Sequence, residues 1–183
     1  MKSFKKYSIL SYFFIFFSCS ESLDFNQLDD YVSKPIFTAA LTYFKVVPAK
    51  FFDSSGTIQR NSVTEITNFD VLQNQFIKDN LVKFDLNAQI KNEFDRDATI
   101  NIQFLNANNV AVYTFSPIFI ESKNTNFIYL EEIVITANPT ILSTTKIKIT
   151  AELENTGIQM DVNDPSEFEF KSSVTFYLES SLK

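Results

Sequence analysis

The 183 residues hold 16 lysines and arginines against 22 aspartates and glutamates, with no histidine, no tryptophan, two glycines and one cysteine. Without histidine there is no Ser-His-Asp triad, no imidazole metal ligand and no ordinary general base near neutral pH. Too few glycines remain for a phosphate loop or a dinucleotide fingerprint, and a formal charge of −6 repels nucleic acid.

The chain begins with Lys2, Lys5 and Lys6, runs through an apolar stretch from Tyr7 to Phe17, and reaches Ser18 and Cys19. A cationic start, a short apolar segment and a small residue at the cut describe an export signal. The stretch is too short to cross a bilayer, which takes roughly 20 apolar residues. Phe16-Phe17-Ser18-Cys19 resembles the lipobox of bacterial lipoproteins, although Phe16 stands where that motif usually has leucine. The resemblance implies that residues 1–18 are a lipoprotein signal peptide and that Cys19 is the lipid attachment site and mature N-terminus. Phe-rich signals ending in Ser-Cys are similar to those of Bacteroidota lipoproteins. Ser20, in place of Asp after the cysteine, implies the outer membrane by likeness to the sorting pattern of enterobacterial lipoproteins. Glu21 and Asp24 resemble the acidic tag that directs some such proteins to the cell surface. Whether the periplasmic or the surface face is occupied stays open.

Cleavage would leave one domain's worth of chain, with 13 basic and 22 acidic residues and a net charge of −9. With Cys19 acylated, the body has no thiol for a crosslink, and at this size it needs none to hold a core. Residues 19–34 are polar and acidic and read as a lipid-anchored tether, and residues 35–183 as the folded domain. Leu23, Phe25 and Leu28 would let the second half of the tether pack on that domain.

From Pro35 the pattern is that of strands. Ile36 to Val47 is rich in β-branched and aromatic residues but alternates poorly, so it predicts a strand that is central or buried on both faces, ended by Pro48. Phe51 to Gly56 is a turn, and Val63 to Ile66 a short strand. Val71 to Asn80 has nearer helical spacing and predicts one or two helical turns. Leu81 to Lys91 alternates cleanly, with Val82, Phe84, Leu86, Ala88 and Ile90 on one face and charged or polar residues on the other. After the charged connection Asn92–Asp97, Ala98, Ile100, Ile102 and Phe104 form the next inward row.

Asn106-Ala107-Asn108-Asn109 predicts a tight turn, because Asn tolerates positive φ. Val110 to Phe115 returns as a strand that Pro117 interrupts. Phe127 to Thr136 is a further strand, whose Glu131-Glu132 pair forces one carboxylate inward or a bulge. Asn138-Pro139 predicts a helix N-cap with Pro in the first position, giving one turn over Ile141–Thr145. Ile147, Ile149, Ala151 and Leu153 alternate with polar residues. Asp161–Ser166 is an acidic loop, and Phe168 to Leu178 supplies the last inward face.

About eight short strands with one wet face each predict an all-β fold, an antiparallel immunoglobulin-like β-sandwich with one or two short helical turns. The run Phe84 to Asn92, followed by a hairpin to Ile100–Phe104, resembles the late-embryogenesis-abundant type-2 sandwich.

The candidate sites are few. Asp161, Asn163 and Asp164 concentrate oxygen ligands of the kind calcium takes, but without the spacing of an EF-hand loop; a solvated loop is the plainer reading. Asn92–Asp97 is a similar cluster that Arg96 would neutralise. Phe51, Phe52, Phe94, Phe119 and Tyr177 fall in turns or on wet faces and could make a partner-binding patch, or pack under loops instead. No catalytic set and no cofactor site is read. The leading expectation is a non-catalytic, lipid-anchored envelope module that docks to another outer-membrane or periplasmic protein. The alternatives are a surface module that binds glycan or protein, and a hydrolase working through carboxylates alone. An apolar strip on a sheet edge would favour docking, an aromatic groove ligand binding, and an inward carboxylate cleft the enzyme.

Overall fold

The computed structural model describes residues 32–181. The expected signal peptide, Cys19 and residues 19–31 of the expected tether lie outside them. Nine strands of three residues or more carry the fold: β1 (Ile36–Val46), β2 (Ser62–Asn68), β3 (Leu81–Asn92), β4 (Ala98–Leu105), β5 (Ala111–Thr114), β6 (Ile118–Ile120), β7 (Phe127–Val134), β8 (Lys146–Leu153) and β9 (Phe168–Leu178). Among the described residues one α-helix, α1 (Gln75–Asn80), precedes β3; Asn74 caps it by accepting from the Ile77 amide.

The strands alternate between two antiparallel sheets, ordered β1-β9-β3-β7 and β2-β8-β4-β5, with β6 also paired to β4. The ladders are nested in sequence: β1 with β9, β2 with β8, β3 with β7, and β4 with β5 and β6. A long hairpin folded over on itself in this way is a jelly roll, the double Greek key. The antiparallel sandwich is the one expected; its strand order is not that of the immunoglobulin fold. The reason is that alternation states which face of a strand is buried but not which strand lies beside it. The same limit explains β3 and β4, which lie in opposite sheets and are joined by an arch over Asn92–Asp97, rather than by the expected hairpin.

Inward rows supply the core: Phe84, Leu86, Ala88 and Ile90 on β3 and Phe168, Phe170, Val174, Phe176 and Leu178 on β9 face Ile100, Ile102 and Phe104 on β4 and Ile147, Ile149, Ala151 and Leu153 on β8. Aromatic rings tie the layers together. Phe84 stacks on Phe104 across the sandwich at 5.9 Å, and Phe104 meets Phe115 edge-on at 5.0 Å. Such pairs are worth about 0.5–1.5 kcal/mol beyond their buried area.

The β1 strand is neither central nor buried on both faces. It is an edge strand, paired only to β9 among the described strands. Its ladder skips Leu41, since Ser173 opposes Ala40 and Ser172 opposes Thr42. That bulge switches the inward set from Phe37, Ala39 and Leu41 to Phe44 and Val46, which is why the alternation read as poor. Pro117 divides the opposite edge of the second sheet into β5 and β6. The Asn106–Asn109 turn forms as expected, with Asn109 at φ 60° and the Asn106 carbonyl accepting from its amide. The Asn138-Pro139 turn is a short 3-10 helix over Pro139–Ser143, and the Asn138 side chain does not cap it. Its amide instead donates back to the Val134 carbonyl, holding the end of β7.

Candidate functional site

The eight residues of β7 put Phe127, Tyr129, Glu131 and Ile133 toward the second sheet and Ile128, Leu130, Glu132 and Val134 outward. On the inward row Ile133 is buried, while Ile128 is 69%, Leu130 62% and Val134 42% exposed. The ladder to β3 runs from Lys83 opposite Val134 to Ile90 opposite Phe127 with no bulge. Among the described residues no strand pairs with the outer side of β7. Alternate N–H and C=O groups of an edge strand point away from its neighbour and are free to pair with another strand. Bulges, prolines and charges usually blunt such edges; β7 has no bulge, proline or lysine, and its two charges are the inward Glu131 and the Lys83-paired Glu132. It therefore combines an open backbone with an apolar outer row.

Polar contacts tie this edge to its neighbours. Lys83 on β3 pairs with Glu132, and its ammonium lies over the Tyr177 ring at 4.4 Å. The conflict at Glu131-Glu132 resolves without a bulge: Glu132 faces out, and the half-buried Glu131 turns in. Glu131 accepts from the Tyr113 hydroxyl of β5 at 3.1 Å and from that of Tyr129 on its own strand. Burial first, and then the bond to Glu131, push both tyrosine pKa values up. The Tyr113–Glu131 bond closes the seam between the two sheets at this edge.

The other candidate residues are placed as follows. In the acidic loop, Asp161 Oδ1 accepts from the Asn163 amide and Asp164 Oδ1 from the Ser166 amide, so two of the proposed calcium ligands are turn acceptors. The Ser166 bonds hold the Asp164 carboxyl below its usual range. Among the described residues no three acidic, histidine or cysteine side chains gather as a metal would require.

The aromatic patch dissolves. Phe51 and Phe94 are core residues that meet edge-on at 6.0 Å, Phe52 is half-buried, and the Tyr177 hydroxyl donates to Asp85 at 2.8 Å. That bond, chiefly, raises the Tyr177 pKa. Only Phe119 is exposed, at a shallow cleft of about 330 Å³ on the outer face of the second sheet beside Asp97, Glu152 and Glu154. Asp97 accepts there from the Ser122 amide at 2.8 Å.

Within the Asn92–Asp97 arch, Asn92 is buried. It donates to the carbonyls of Arg96 and Glu121 and accepts from the Phe94 amide. Sequence reasoning missed Ile128, Leu130 and Val134, because an apolar residue on either face of a strand looks the same whether a sheet or water covers it.

No protein-family model and no curated protein sequence matches this chain. Among solved structures, a protein of Parabacteroides distasonis proposed to be secreted is similar at 16% identity and TM-score 0.48, over 63% of this chain and 38% of that one. The infectious bursal disease virus T13 particle is similar at 11% identity and TM-score 0.43, over 79% of this chain and 31% of that one. Desmodium yellow mottle tymovirus is similar at 11% identity and TM-score 0.34, over 84% of each chain. The chain thus spans little more than a third of the first of these proteins. At such identities and scores the likenesses carry no ligand or partner across. What fold and edge together define is an antiparallel jelly-roll sandwich whose β7 edge carries an apolar outer row.

Proposed function

We propose that this protein is a non-catalytic, lipid-anchored module of the cell envelope that docks to another outer-membrane or periplasmic protein by adding a partner strand to β7. The single observation that supports it is the exposed Ile128-Leu130-Val134 row on an unbulged, unpaired edge. Strand addition draws its affinity from main-chain hydrogen bonds and its selectivity from alternate side chains. Here Ile128 and Leu130 would select apolar residues on the incoming strand. The Lys83–Glu132 pair and the Tyr113–Glu131 seam keep the edge straight before it binds. Attachment to the membrane rests on Cys19 and its resemblance to the lipobox. The envelope location follows from that anchor, and the outer membrane from Ser20.

A photocrosslinking residue placed at Leu130 in the native membrane tests the docking reading. The expected outcome is a discrete adduct that is absent from the same residue placed at Tyr43 on β1, and that Ile128→Lys removes. Equal labelling from both edges would end the proposal. Cys19→Ala should abolish membrane fractionation while leaving the body folded; a variant that stays with membranes through a carbonate wash would remove the anchor from the reading.

A further inference from the structure

At the end of the sandwich where the β3–β4 arch meets the loop between β8 and β9, a cleft of about 300 Å³ opens beside Asp95, Arg96, Ile158, Met160, Asp161 and Asp164. That volume is near the lower end of the ~300–1,000 Å³ range of small-molecule sites. Arg96 is only 4% exposed, and among the described residues its Nε–H has no hydrogen-bond partner. One Nη2 bond reaches the Ile158 carbonyl at 3.3 Å. The nearest carboxylate oxygen, from the exposed Asp95, stands 3.7 Å from Nε, beyond hydrogen-bond range. A buried cation needs an anion and filled donor sites around it; this one has one exposed carboxylate outside hydrogen-bond range and a single carbonyl acceptor.

The rim has the opposite character. Asp161 and Asp164 are exposed, and each uses one carboxylate oxygen on a backbone amide. Together with Asp95 they surround the cleft with negative charge. A plain anion would be repelled by that rim, and a divalent cation by the guanidinium beneath it. A molecule carrying both charges satisfies both levels.

We propose that this cleft binds a small zwitterion of amino-acid size, its carboxylate received by the Arg96 guanidinium and its ammonium by the aspartates at the rim. The guanidinium fork matches a carboxylate in two parallel bonds, and Nε–H is one of the donors such a pair uses. The site is separate from the β7 edge, so it stands or falls independently of docking.

Nitrogen-15 NMR of the purified protein tests it, following the Arg96 Nε–H signal and the amides of residues 156–164 during titration with glycine and with γ-aminobutyrate. Acetate, methylammonium and sulfate are the single-charge controls. The expected result is a saturable shift at a concentration roughly tenfold or more below that needed for acetate or methylammonium. Arg96→Met should abolish the response, and Asp164→Asn should weaken it about threefold or more through the loss of one rim charge. Should Arg96→Met fail to fold, Asp161→Asn and Asp164→Asn carry the test, since both lie on exposed loop positions. Acetate or sulfate binding as tightly as either zwitterion would overturn the proposal, as would the absence of saturation with both zwitterions.

Discussion

The β1 and β7 strands border the same four-stranded sheet, yet they treat an open edge in opposite ways. β1 carries a bulge at Leu41, and its outer row alternates Ile36, Thr38, Ala40, Tyr43 and Lys45. Even its exposed aromatic is engaged: the Tyr43 hydroxyl donates to Glu169, and the Lys171 ammonium lies 5.9 Å from the ring centre. β7 has no bulge and no cation, and sets Ile128 beside Leu130 in solvent. Their seams to the second sheet differ as well. At β1 the Thr42 and Thr67 hydroxyls meet at 3.3 Å, whereas at β7 a carboxylate collects two tyrosine hydroxyls. One edge carries a bulge, a lysine and an engaged tyrosine, and the other an unbulged ladder beside an apolar row. Edge exposure alone is therefore a poor guide to binding; what matters is whether twist, charge and side chains have been used to spoil the template.

The largest change should come from a core ring that links the two sheets. Phe104 packs against Phe69, Phe84, Tyr113 and Phe115, and Phe104→Ala is expected to cost about 3–5 kcal/mol, measured by urea unfolding. Both seams should loosen together in hydrogen exchange, because the ring lies between the sheets rather than at one side. A loss confined to β7 would mean that the two edges are not coupled through the core.

Cutting the seams singly separates them. Glu131→Ala leaves two tyrosine hydroxyls without their acceptor and should cost about 2–3 kcal/mol, while Thr42→Val, which removes one long neutral bond, should cost about 1 kcal/mol or less. Glu131→Gln keeps an acceptor and should recover part of the loss. Equal costs in denaturant melts would contradict the view that β7 is the more strongly braced edge.

The smallest effects are those of pH, and they should fall on opposite sides of neutrality. Hydrogen bonds from Lys45 and Lys91 hold the Glu167 carboxyl below its ordinary 4.5, and Lys91 does the same for Glu93. A lowered carboxylate adds stability above the unfolded value and loses it as pH falls through the folded one. The β1 side should therefore weaken below about pH 4.5, with a shallower slope in Glu167→Gln. Tyr113 is raised from 10.0 by burial and then by Glu131, so its contribution is whole below that value and fades as pH climbs past it. Absorbance titration of the tyrosines should show three late-ionising hydroxyls, Tyr113, Tyr129 and Tyr177, and Glu131→Gln should bring the first two earlier. If all the tyrosines ionise together, the seam at β7 is not closed in solution.

Much of the architecture was legible. The inward rows of β4, β8 and β9, and of β3 from Phe84 on, follow from strict alternation, and the Asn106–Asn109 turn from the tolerance of asparagine for positive φ; Val82, expected inward, is skipped by the ladder to β9, and Leu81 enters the core in its place. Val71–Asn80 has helical spacing because its apolar residues recur at Val71, Leu72, Phe76 and Ile77. β1 misled because one extra residue at Leu41 reverses parity halfway, and a bulge leaves no composition of its own. Phe51 and Phe94 sat in turn-like sequence but belong to the core, since the loops that hold them cap the open end of the sandwich. The candidate site was the least legible part. Ile128 and Leu130 stood in a strand whose faces the Glu131-Glu132 pair left unassigned, and Arg96 read as a neutraliser of its acidic neighbours, until the fold placed it beneath Ile158.

Local chemistry by itself determined most strand faces and the Asn106–Asn109 turn, because each depends on residues close together in the chain. Which strand lies at an edge, which carboxylate of Glu131 and Glu132 turns inward, and where Arg96 is buried were decided only by tertiary structure. Those outcomes depend on pairings between distant segments, such as β1 with β9 and β3 with β7, and the side-chain period of a strand is the same whichever partner it meets.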